Sequence, residues 1–181
     1  MRKLFNLTTV ASGLAIGMIL AGVLAVIGGA YAKDVVHDQL VPQKIFFNED
    51  ASKLPENLKQ YAGQQVDTGA EAKLFAEDYI GLHLQETAGG KTYSEVSGAF
   101  MADQENQELA QQRQTLFMGE TLRGMLLSAW GWGTVGTVAT IAGISLIGIG
   151  GILLAIPMAA LVAGRRRTER TATGTEASPA L

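Results

Sequence analysis

The chain has two histidines, His37 and His83, and no cysteine. A non-haem iron site takes two histidines and one carboxylate around open coordination positions. Asp34, Asp38 and Glu86 stand close by in sequence, so the minimum set of ligand types exists. The spacing matches no local ligand pattern such as His-Glu-x-x-His. Both histidines fall in polar stretches expected to be helical. They are therefore read as solvent-facing or capping, with a metal site as the weaker candidate, and no cofactor is expected. Gly89-Gly90-Lys91-Thr92 ends like a phosphate loop but lacks the upstream glycine and the preceding strand. A helix stop is the better reading. Glu77 and Asp78 are adjacent, so they point to different faces of a helix. No Gly-x-Ser-x-Gly elbow occurs. No residue is assigned a catalytic role. Glu120 and Arg123, at i and i+3, are read as an ion pair or a candidate partner-binding pair.

The elements that must position these residues are set by charge. Residues 4–32 and 124–164 carry no charged side chain. A bilayer core needs about 20 apolar helical residues, and both stretches exceed that. The expected fold class is an all-α membrane protein: an antiparallel two-helix transmembrane hairpin with a small helical extracytoplasmic domain. The middle segment, residues 33–123, holds 15 acidic and 8 basic residues, while the ends hold 6 basic and 2 acidic. Lys and Arg near span ends stay preferentially in the cytoplasm. The expected layout is a cytoplasmic N-terminus (1–6), a first span (7–32), an extracytoplasmic domain (33–129), a second span with its outer interface (130–164) and a disordered cytoplasmic tail (165–181). Trp130 and Trp132 mark the outer membrane interface, and Arg165, Arg166 and Arg167 the inner one. No basic surface suited to nucleic acid exists. The lack of cysteine excludes a disulfide framework.

Ala30-Tyr31-Ala32 has the small-x-small form of a signal cleavage site. The apolar stretch before it exceeds the usual h-region of roughly 7–15 residues. An uncleaved anchor is favoured, with cleavage after Ala32 as the alternative.

Helices in lipid gain from close backbone approach through small residues. Ala15, Gly22 and Gly29 recur every seven residues in the first stretch, as do Ala129, Gly136, Gly143 and Gly150 in the second. In an antiparallel pair Gly29 would face Gly136, Gly22 would face Gly143, and Ala15 would face Gly150, as equal rise requires. Gly13-x-x-x-Gly17 is a rival face, suited to a homodimer.

Between the spans the spacing predicts helices, joined by a short β-prone run at Ile45-Phe46-Phe47, too short to form a sheet alone, and a turn over Asn48 to Ser52. The first span continues to about Gln39 and stops at Pro42. A short helix covers residues 54–61, with Pro55 in its first turn. Thr68-x-x-Glu71 and Thr92-x-x-Glu95 are capping boxes. The first opens a helix over residues 69–87, with Leu74, Phe75, Ile80, Leu82 and Leu84 as apolar contacts, stopped by Gly89-Gly90. Asp103 is expected to cap a long helix from about Gln104 that runs on into the second span. Leu109, Leu116 and Phe117 are its inward candidates and Arg113 is solvated. Tyr61, Tyr79 and Tyr93 are expected in a small core.

Three runs, LKQYAGQQVDTG at residues 58–69, GGKTYSEV at 89–96 and TLFMGETLRG at 115–124, resemble an uncharacterised family of actinobacterial two-span membrane proteins. The likeness covers most of residues 33–137. It implies a membrane architecture and an actinobacterial source. Some members of that family are labelled as aromatic ring-opening dioxygenases. The leading expectation is a non-enzymatic membrane protein of the cell envelope that binds a partner, or stabilises a larger membrane complex, through its extracytoplasmic domain. Its partners would be the lipid bilayer and a membrane protein or a second copy of itself. The alternative is a metal-dependent envelope enzyme of the ring-opening dioxygenase type.

Overall fold

The computed structural model describes the backbone of residues 2–175 and the side chains of residues 9–159. The chain is 84% helical, with no strand among the described residues. The α-helices are α1 (Arg2–Leu40), α2 (Gly69–Leu74), α3 (Gly81–Ala88), α4 (Tyr93–Ala102) and α5 (Gln107–Thr175). Contacts divide the chain into two compact units. One joins the residues up to 28 with those from 139 onward, and the other comprises residues 29–138.

In the first unit α1 and α5 pack through small residues. Ala15, Gly22, Gly143 and Gly150 are buried. A methyl group added at Gly22 would stand 2.6 Å from the Gly143 carbonyl oxygen, and one at Gly143 would stand 2.5 Å from that of Gly22. One at Gly150 would stand 2.8 Å from the Ala15 carbonyl oxygen. These approaches are too close for any side chain. The opposite faces are apolar and open: Leu14, Leu20, Leu24, Ile141, Ile144 and Ile152 are each 60% exposed or more. The Ser145 hydroxyl donates to the Ile141 carbonyl at 2.9 Å, so it asks nothing of the surroundings.

The second unit holds the core. α1 ends in a 3-10 turn at Val41–Gln43, with Pro42 inside it. The chain then crosses as extended backbone. Phe47 N–H donates to Gln64 O and Val66 N–H to Ile45 O, both at 2.9 Å, around a single antiparallel bridge between Phe46 and Gln65. Alternation leaves Phe46 51% exposed and Phe47 1% exposed. Phe47 stacks with Tyr61 at 5.4 Å and meets the edge of Phe75 at 5.2 Å, and Leu58, Val66 and Leu126 close the cluster. A smaller cluster joins Leu84, Ala88, Val96 and Leu116. Residues 56–61 are helical, but as a 3-10 helix with Pro55 at its cap.

Both capping boxes form in full. Thr68 and Thr92 accept from the backbone N–H groups of Glu71 and Glu95, whose carboxylates reach back to the cap N–H. Between α2 and α3 the rod is not plain α-helix. Phe75–Ile80 forms a π turn, in which hydrogen bonds span five residues instead of four. The buried row runs 72, 76, then 81, 84, 88. The step of five between Ala76 and Gly81 is the extra residue of the π turn. It turns Leu82 outward, 44% exposed, against the sequence expectation that it is a core contact.

Further expectations are corrected. The cap of α5 is Asn106, whose Oδ1 accepts from the Leu109 N–H at 3.1 Å. Asp103 instead ends α4, its N–H bonding to Ala99 O and Phe100 O, so a turn intervenes before the long helix. Phe117 faces outward, 57% exposed, and pairs with the exposed Tyr93 at 5.9 Å. Arg113 lies 4.0 Å over the Phe100 ring rather than standing free in solvent. Where the sequence predicts a disordered tail over 165–181, the backbone stays helical to Thr175. Pro157 is the one proline inside α5, and the Arg and Glu residues that follow it favour helix. Residues 176–181 lie outside the described residues.

Candidate functional site

Several grooves open on the second unit, and two of them are lined by the histidines. The first, about 570 Å3, is lined by Lys33, Asp34 and His37 of α1, by Asp67, and by Trp130 and Thr134 of α5. Lys33 and His37 share a face because they are four apart on a helix. His37 Nδ1 lies 3.2 Å from the Asp67 carbonyl oxygen. A carbonyl only accepts, so Nδ1 carries the proton of this bond.

Asp67 is tied to the capping box next to it. Its N–H donates to Glu71 Oε2 at 3.1 Å, and the Thr68 N–H and hydroxyl donate to the same oxygen at 3.0 and 2.8 Å. Burial pushes the Glu71 carboxyl upward, but the Thr68 hydroxyl and the two backbone N–H donors outweigh it and hold that carboxyl below its usual value. The Asp67 carboxyl moves the other way. Burial raises it, the Glu71 carboxylate beside it raises it further, and His37 offsets part of this.

The floor of this region depends on Gly69. A methyl there would meet Ala129 O at 3.0 Å and Trp130 Cα at 3.1 Å. Only glycine lets the start of α2 lie against α5 so closely. The sequence reading saw Gly69 as the first residue of a helix and missed this approach. Lys73, one turn on, places its ammonium 4.7 Å from the centre of the Trp130 ring.

The second groove, about 790 Å3, is lined by Leu54, Pro55, Ile80, Leu82, Met118 and Leu122, with His83 and Glu86 among its polar members. Met118, Leu122 and Met125 are 55%, 38% and 67% exposed and repeat at helical spacing on α5. That stripe is readable in the sequence as apolar residues at i, i+4 and i+7, and it was missed.

Glu120 and Arg123 do pair. Arg123 Nη1 donates to both Glu120 carboxylate oxygens, at 3.0 and 2.9 Å. Arg123 Nε also donates to the Ala76 carbonyl oxygen at 3.1 Å, so the guanidinium ties α5 to the π turn.

The two histidines are not brought together: His37 lines the first groove and His83 the second. No group of three or more His, Cys, Asp or Glu able to hold a metal occurs among the described residues. Trp132 is 62% exposed and Trp130 37%. Of the small residues spaced by seven, Gly29 and Gly136 also meet, within the second unit. A methyl on Gly136 would stand 2.7 Å from Gly29 O and 3.0 Å from Lys33 Cγ. Arg165, Arg166 and Arg167 continue the helical backbone of α5, and their side chains lie outside those described. Gly13 and Gly17, like Gly148 and Gly151, have nothing within 4 Å of an added methyl.

No family model, curated protein or solved structure matches the chain.

Proposed function

We propose that the chain is a small two-pass membrane protein of the cell envelope that acts by binding rather than by catalysis. Both termini are cytoplasmic and residues 33–129 face the outside. The extracytoplasmic segment docks a membrane-protein partner and thereby stabilises a larger complex.

One observation carries the membrane reading. Two helices are long and apolar enough to cross a bilayer, and only 11% of the most apolar window of each is buried within the molecule. The core helix of a soluble protein would hide most of such a window. Exposed apolar area on this scale marks a surface that something apolar covers. The binding reading is supported by the second groove, where Leu82, Met118 and Leu122 stay open beside a completed core.

The test is amine labelling of intact cells with a membrane-impermeant reagent. Lys59 and Lys73 are expected to react without permeabilisation, and the full chain to need detergent for extraction. Labelling of these lysines only after permeabilisation would invert the layout. Gentle extraction should then recover a protein that co-purifies with the parent chain and is lost from Leu122→Asp.

A further inference from the structure

The first groove lies where the charge-free stretches meet the polar segment. Lys33 is the first charged residue after the stretch 4–32, and the groove's α5 wall, residues 130–138, falls inside the stretch 124–164. The span-side end is lined by Val138 and by Thr137, whose hydroxyl already bonds the Gly133 carbonyl, and the other end carries Lys33, Asp34, His37 and Asp67 beside Trp130. We propose that this groove binds the headgroup of one phospholipid bearing both a phosphate and a primary ammonium, that is, a phosphoethanolamine lipid. The inference rests on the membrane reading above and deepens it.

The charges select the ligand. Lys33 forms no ion pair among the described residues; the pairs there belong to Lys53, Lys59, Lys73 and Arg123. Its stem lies against Gly136, which places the ammonium at the groove while leaving it open to a phosphate oxygen. Asp34 likewise has no ion-pair partner among the described residues. His37 Nδ1 donates to the Asp67 carbonyl, which leaves Nε2 for a ligand. The two Asp34 carboxylate oxygens thus offer acceptors for an ammonium beside a donor, Lys33, for a phosphate. A purely anionic headgroup would meet two carboxylates, Asp34 and Asp67, against one lysine. A quaternary choline has no N–H for these acceptors. The volume, about 570 Å3, is within the range of small-ligand sites, and the span-side end accepts the start of an acyl chain.

The full chain would be reconstituted in nanodiscs of phosphatidylcholine doped with either phosphatidylethanolamine or phosphatidylglycerol. Lipids retained after release into detergent would be counted by native mass spectrometry. Phosphatidylethanolamine should be retained about fivefold over the other two, and Lys33→Gln and Asp34→Asn should each bring it down to the phosphatidylcholine level. Both residues are exposed, so thermal unfolding of the variants should match the parent. Equal retention of the three lipids, a preference for phosphatidylglycerol, or full retention by Lys33→Gln would overturn the site while leaving the membrane reading intact. A chain that stays out of the discs overturns both. Soluble glycerophosphoethanolamine should displace the lipid only weakly; binding as tight as the lipid's would overturn a membrane source for the ligand.

Discussion

Arg123 Nε donates to the Ala76 carbonyl oxygen over 3.1 Å, and that oxygen already accepts the Gly81 N–H across the π turn. A π turn is an unfavourable insert in a helix and persists where its surroundings hold it. Here the holder is a guanidinium whose own direction is fixed by Glu120.

Arg123→Ala should therefore destabilise the second unit by about 1–2 kcal/mol, the usual cost of losing a partly buried charge-assisted bond. Hydrogen exchange should locate the loss at the amides of residues 76–81. Arg123→Lys should not restore it, because one ammonium lacks the planar fork that serves Glu120 and the carbonyl together. Uniform loosening of the whole unit, with no focus at the π turn, would count against the clamp.

Gly143→Ile should lower thermal stability in detergent micelles by about 1–3 kcal/mol or more, since overpacking against a rigid partner cannot relax. The added methyl would stand 2.5 Å from a backbone oxygen of Gly22. A methyl at Gly148 or Gly151 meets nothing within 4 Å, so Gly148→Ile and Gly151→Ile should leave the melting temperature nearly unchanged. Equal effects at all three positions would remove the packing argument.

Gly69→Val should perturb the second unit by about 1–3 kcal/mol, because both nearest atoms belong to the α5 backbone. Trp130 sits at that contact, so its fluorescence should shift with the substitution. An unchanged spectrum would show that the approach is looser.

The capping box at Thr68 makes stability depend on pH. The folded Glu71 carboxyl is held below its unfolded value, so its contribution is complete above the ordinary carboxylate range. It fades as pH falls through the folded value. Asp67 is raised, so its contribution is complete below the unfolded value and is lost as pH climbs through the folded one. Glu71→Gln should flatten the acid limb of a stability profile, and Asp67→Asn should raise stability at neutral pH. Thr68→Ala should cost about 1 kcal/mol at neutral pH, the typical value for a lost cap.

Much of this was legible in the chain because the signals are local. A capping box is written in four consecutive residues, and both were read with their partners. The row of small residues was legible because its period is fixed by helix geometry. The π turn was not legible. Leu74, Phe75, Ile80, Leu82 and Leu84 fit an ordinary helix as well as one with an extra residue, and Arg123, which holds it, lies 47 positions away from Ala76. The start of α5 was misplaced because Asp103 and Asn106 are equally good cap residues; Asp103 closes α4, and it is Asn106 Oδ1 that takes the Leu109 N–H. The grooves form from segments distant in sequence, so only their separate residues were visible, and Gly69 gave no sign of the backbone it would touch.

The step of five between Ala76 and Gly81 also dictates how this protein tolerates change in length. Deleting one residue from 77–80 would let the rod wind as plain α-helix, with Ala76 and the next buried position four apart and Leu84 keeping its place against Gly119. Straightening the π turn with no deletion is what would swing the downstream face, by about 100°, and lift Leu84 away from Gly119. The stretch can lose a residue more easily than it can lose its irregular winding.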